Sequence, residues 1–195
     1  MNTVITEKTA SGEVSYDIFS KLINHRVLFL YDDIDNEVAT DLVATLLFLD
    51  SIDQVNPITI YINSESGDIR SILMIYDVIA MIKAPIQTVC IGAAMYAPIL
   101  ILAAGTKGYR YATKSSCMCV SALIPDSITS GDITKTRSDF EQIKKENTTF
   151  IEILSKLTSR KQNLIIKDCA KRLFLTPLQA KRYGLIDHII RWHKK

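Results

Sequence analysis

Apolar positions along this chain alternate between short continuous runs and longer stretches at helical spacing. Val27-Leu28-Phe29-Leu30 is a continuous run and predicts a buried strand. Asp32-Asp33-Ile34-Asp35 then reads as turn and helix-cap chemistry, and Val38, Leu42, Ala44, Thr45, Leu46 and Leu49 recur at helical spacing up to Asp50. Ile58-Thr59-Ile60-Tyr61-Ile62, β-branched and aromatic, predicts a second strand. Asn63 to Asp68 reads as a loop, Ile69 to Ile82 as a helix and Ile86 to Ile91 as a third strand. Gly92 to Ala97 turns into another helix, with Pro98 tolerated in its first turn. Tyr109 to Ala112 and Cys117 to Val120 predict two more strands.

The second half changes character. From Ile133 to Leu157 the pattern is long, charged and helical, with Phe140, Ile143, Phe150, Ile153, Leu154 and Leu157 on the apolar stripe. Arg160 to Arg172 predicts another helix. Thr176-Pro177 opens a short one with the threonine as N-cap, and Gly184 stops it. Leu185 to Ile190 predicts a last strand, and Arg191 to Lys195 a solvated basic tail. Strands alternating with helices imply βαβ units, a parallel sheet and right-handed crossovers.

Composition narrows the classes. A chain of 195 residues with 48% hydrophobic and 23% charged residues is a folded domain rather than a disordered segment. The net charge of +2 gives no electrostatic case for nucleic acid or for an anionic membrane surface. Cys90, Cys117, Cys119 and Cys169 lie on apolar runs without metal-ligand spacing, so reduced buried thiols in a reducing compartment are expected, and neither a metal nor another cofactor. The first residues show no apolar signal core, and the apolar stretch from Ile91 to Ala104 is too short to span a bilayer.

In an open α/β fold, sites form in loops beyond the carboxyl ends of strands. Asn63 to Asp68, with Gly67, and the small-residue elbow Gly92 to Ala97 are the two candidates. Together they suit an acyl-transfer site, an elbow nucleophile beside backbone donors. Equally, the small residues serve only to let helix and strand pack closely.

The chain resembles the proteolytic subunit of the ATP-dependent Clp protease family nearly end to end. The residues that carry this are Ser15 to Leu22, Arg26 to Leu30, Leu46-Leu47-Phe48-Leu49, Tyr61-Ile62-Asn63-Ser64, Ile75-Tyr76-Asp77, Leu102-Ala103-Ala104-Gly105, Lys107-Gly108 and Ala180 to Asp187. The resemblance implies an α/β, crotonase-like spiral of βαβ units with a projecting handle helix, assembled as two stacked heptameric rings. It implies one domain over residues 1–195: an axial segment at 1–15, a head at 16–120, a handle region at 121–159, and C-terminal helices with a last strand at 160–195. The absence of a propeptide ahead of the axial segment fits a chain that needs no self-processing. Bacterial cytoplasm is the implied location, with plastid stroma also compatible.

Where the family carries its Ser-His-Asp triad, the matching positions here hold Tyr96, Ser121 and Arg172. A phenol with an ordinary pKa of about 10 stays protonated at neutral pH. A serine hydroxyl does not accept a proton as imidazole does, and an arginine cannot orient an imidazolium. Loss of a whole triad lowers turnover by about 10⁶-fold. His25, His188 and His193 all fall outside the two candidate loops. The oxyanion-hole positions match Gly67 and Ala97, flanked by Glu65 and Asp68, whose carboxylates either oppose an oxyanion or cap the following helix. The family's pocket for its AAA+ ATPase cap matches Leu47, Phe48, Tyr61, Met81, Val89, Ile91, Tyr111 and Ile190, with Thr59 in place of an aromatic. The ring–ring contact matches Arg137 and Lys171, two cations that repel unless Asp132 or Asp139 compensates.

The implied reading is a non-catalytic, R-type paralogue of the Clp proteolytic subunit. It would sit in a mixed ring with a catalytic paralogue and dock a Clp-family ATPase. A peptidase with a rearranged site, a homo-oligomeric scaffold or decoy for the ATPase, and a crotonase-type acyl-CoA enzyme are the alternatives.

Overall fold

The computed structural model describes residues 4–9, 12–122 and 133–190. Leu123, Asp132, His193 and the basic tail after Ile190 lie outside the described residues, as does the Asp139 side chain. A hairpin of β1 (Val4–Thr9) and β2 (Gly12–Asp17) comes first. The short helix α1 (Ile18–Ile23) follows, its N-terminus capped by the Asp17 carboxylate, which accepts from the Phe19 and Ser20 amides. The apolar pattern had pointed to none of these three elements.

The core is then wound as β3 (Val27–Ile34), α2 (Asn36–Ile52), β4 (Ile58–Gly67), α3 (Ile69–Met81) and β5 (Ile86–Met95). These strands outrun their apolar runs. β4 continues through the expected loop to Gly67, and β5 continues through Gly92 to Met95. The cause is pairing: Asp33↔Ser66, Ile34↔Gly67 and Ser64↔Ala94 extend the parallel ladders past register shifts. Asn63 bridges the shift, its Oδ1 accepting from the Ala93 amide at 3.0 Å. Gly92, at φ 86°, has no room for a Cβ, which would fall 2.3 Å from that same Asn63 oxygen.

The helix expected directly after Gly92 starts later, as α4 (Ile99–Ala104), and is buried on nearly all sides. β6 (Arg110–Ala112), β7 (Cys117–Val120), α5 (Ile133–Thr158), α6 (Gln162–Ala170), β8 (Leu173–Leu175), α7 (Pro177–Tyr183) and β9 (His188–Ile189) complete the chain. Phe150 and Leu154 anchor the C-terminal half of α5 in the core. Thr176 and Gln179 form a reciprocal capping box at α7, and Gly184 stops it in the left-handed conformation at φ 95°.

The result is a mixed α/β domain on a parallel sheet of order β3-β4-β5-β6-β9. β5 forks. Its first half pairs with β6 through Thr88, Val89 and Cys90, and its second half pairs with β7 through Ala93, Ala94 and Met95. β8, too short to announce itself in the sequence, pairs antiparallel with β7. Arg110, 5% exposed, clamps the far end of the sheet. Its guanidinium grips Asp187 at 2.9 and 2.7 Å and also donates to the Gly184 carbonyl at 2.9 Å.

Candidate functional site

The fork in β5 builds the crevice. Met95 pairs with Cys119, and Cys119 pairs with Phe174, so three strands share one row. Tyr96 follows Met95, Ser121 follows the end of β7, and Arg172 immediately precedes β8. Three positions far apart in sequence therefore converge beyond the carboxyl end of β5.

The elbow has its own geometry. Tyr96 stands at φ 54°, where side chains are rarely held, and its amide donates to the Cys119 carbonyl at 3.1 Å. Arg172 is also left-handed, at φ 50°, in the turn from α6 to β8. Its Nη2 donates to the Tyr96 hydroxyl at 2.9 Å, and the guanidinium lies 5.4 Å from the tyrosine ring centroid. Two of the three expected triad replacements are thus bonded to each other. Sequence reasoning recognised both residues but gave no sign that they would meet.

Ser121 is 1% exposed, and its hydroxyl donates to the Ala122 carbonyl at 3.3 Å. Ser64, also 1% exposed, donates to the carbonyls of Asp32 at 2.5 Å and Ser66 at 2.9 Å. Among the described residues neither serine has a base. His25 lies in the turn after α1, at the opposite end of the sheet. The His188 ring stacks on Tyr111 at 5.2 Å. Tyr111 pairs with Val89, so that imidazole is about 20 Å along β5 from the elbow at 3.3 Å per residue. The buried thiols offer no substitute. Burial pushes Cys90 up to about 12 and Cys169 up to about 11, and it raises Cys119 against the opposing charge of Arg172.

Gly67 is the last residue of β4, and Ala97 lies two residues beyond the end of the adjacent β5. A Cβ at Gly67 would approach the Ile34 Cβ to 2.9 Å, so close strand packing requires this glycine. Asp68 caps α3, accepting from the Ser71 amide at 2.9 Å and the Ser71 hydroxyl at 3.0 Å, while Glu65 is exposed. Of the two readings open for these carboxylates, capping describes Asp68.

The remaining expected residues form a separate surface. Phe29, Tyr61, Val89, Tyr111 and His188 are cross-strand partners in one outward row. Phe29 and Tyr61 stack at 5.3 Å. Val89 is only 2% exposed, so it supports this row from beneath and offers a partner no side-chain surface. Ile91 is two residues further along β5. Leu47 and Phe48 are exposed on α2, Met81 at the end of α3, and Ile190 beyond β9. Lys171 is exposed beside Arg172. Arg137 is on α5, with its side chain outside the described residues.

Among the described residues, no helix is long and apolar enough to cross a membrane. The family described as Clp protease matches residues 10–193. The ATP-dependent Clp protease proteolytic subunit of Deinococcus radiodurans is 34% identical over 186 residues, covering 95% of this chain and 90% of that protein.

Proposed function

The chain belongs to the Clp protease family, and from that premise we propose that it is a catalytically inactive proteolytic-subunit paralogue. In this reading it co-assembles with an active paralogue in a mixed ring, tunes that assembly, and helps dock a Clp-family AAA+ ATPase. The observation that carries it is the 2.9 Å hydrogen bond from Arg172 to the Tyr96 hydroxyl. A nucleophile needs a neighbour that removes its proton. Guanidinium is a donor only and permanently charged, so it cannot take one. Ser121 spends its proton on a carbonyl, and the described imidazoles are remote. The left-handed elbow at Tyr96 keeps the shape of a nucleophile turn while its chemistry is gone.

Two surfaces support the assembly role. The outward aromatic row, together with exposed Leu47, Phe48, Met81 and Ile190, suits an apolar docking loop. Lys171 and Arg137, at positions that the resemblance matches to the family's ring–ring contact, would repel each other in self-stacking and would favour an acidic partner surface.

The test is co-expression with a catalytic paralogue from the same genome, followed by native mass spectrometry and peptide-cleavage assays. Mixed rings are expected, with no hydrolysis and no fluorophosphonate labelling of the isolated chain. Hydrolysis or labelling by that chain alone overturns the inactive reading. Homo-oligomers only, in the presence of the paralogue, overturn the mixed-ring reading.

A further inference from the structure

We propose that the groove between α1, the open edge of β3 and α2 receives residues 191–195 of a second copy of this chain. The groove encloses about 380 Å³. Its walls are apolar: Phe19 and Ile23 from α1, Tyr31 from β3, and Val38 and Leu42 from α2. Among the described residues β3 pairs only with β4, so its other edge offers free backbone groups to an added extended segment. Asp32, Asp33 and Asp41 rim the opening. All are exposed, and among the described residues none has an ion-pair partner. An apolar slot with an uncompensated acidic rim fits an occupant that is basic and carries an aromatic anchor.

Arg191-Trp192-His193-Lys194-Lys195 is such a segment, and Trp192 is the only tryptophan in the chain. It follows β9, which sits at the opposite edge of the sheet from β3. Four strand spacings separate those edges, about 19 Å at 4.8 Å each. Trp192, two residues beyond Ile190, reaches only about 7 Å from it. A chain therefore cannot fill its own groove, whereas a neighbour placed edge to edge can. The contact is heterologous, head to tail, and repeats from copy to copy as a ring requires. It does not depend on whether the chain hydrolyses peptides.

The test uses the full chain. Trp192 fluorescence is followed across a concentration series, and p-benzoylphenylalanine at position 192 is photo-crosslinked between two differently tagged copies. Expected are an emission blue shift on association and cross-links from one copy to residues 19–45 of the other. Asp33→Lys with Asp41→Lys is expected to weaken association at least about tenfold, and Arg191→Glu with Lys194→Glu to restore it. Asp33→Asn with Asp41→Asn, checked by circular dichroism, gives the same direction should the reversed-charge pair fail to fold. Cross-links within one copy or to another surface, or association that ignores both acidic variants, overturn the proposal.

Discussion

At the β6–β9 corner, Arg110 is 5% exposed and every guanidinium nitrogen is hydrogen-bonded, to Asp187 or to the Gly184 and Ala103 carbonyls. At the crevice, Arg172 is exposed, and among the described residues its guanidinium makes one hydrogen bond, to a phenol. The first arginine neutralises a carboxylate that also accepts from the Gly108 amide at 2.7 Å, and without that carboxylate Arg110 would be a buried, unpaired charge. The second is held on strained backbone by a contact that water can replace. The scaffold therefore resides in the corner. The crevice inherits its shape from the strand ladders rather than from the side chains that fill it.

That contrast is open to measurement. Asp187→Ala is expected to destabilise the protein by about 3–5 kcal/mol in urea unfolding, because it strands Arg110 in the interior. A loss under 1 kcal/mol would place the corner on a level with the crevice. Gly92→Ala, which forces a Cβ into Asn63 at positive φ, is expected to lose about 1–3 kcal/mol by thermal unfolding. At Arg172 the sign of the contrast changes. Arg172→Gly relieves the left-handed strain that Arg172→Ala retains, so the glycine variant is expected to be about 1 kcal/mol the more stable of the two. Equal stabilities would mean that the backbone there is unstrained.

The subtlest effect is in acid. Burial pushes the Asp187 carboxyl up, but the Arg110 side-chain bond, the Gly108 amide and the Arg110 charge outweigh it and hold the group below its ordinary value. A depressed carboxyl stabilises the fold above the unfolded pKa of about 4, and that stability is lost as pH falls through the folded value. Asp187→Asn is expected to flatten the acid limb of the stability–pH profile below about pH 4. An unchanged limb would remove Asp187 from the acid response.

Much of this was legible along the chain. The βαβ alternation, the Thr176 cap and the Gly184 stop are local signals, and the structure keeps the alternation and places the cap and the stop at those residues. The residue types at the positions that the resemblance matches to a triad, Tyr96, Ser121 and Arg172, are read directly from the chain. The polar ends of β3 and β4 were read as turn and loop because hydrophobicity marks burial, whereas strand continuation depends on a neighbour's backbone. β8, at three residues, is too short to show a period at all.

Composition and spacing thus determined the class of the fold, and the ordered runs of residues carried the family resemblance, since each follows from residue identity and short-range order. Tertiary structure alone decided that Tyr96 and Arg172 bond to each other, that Val89 lies covered, and that β3 pairs on one edge only among the described residues. Those facts depend on which distant strands pair and in what register, and register is set by the ladders of the whole sheet rather than by any one segment.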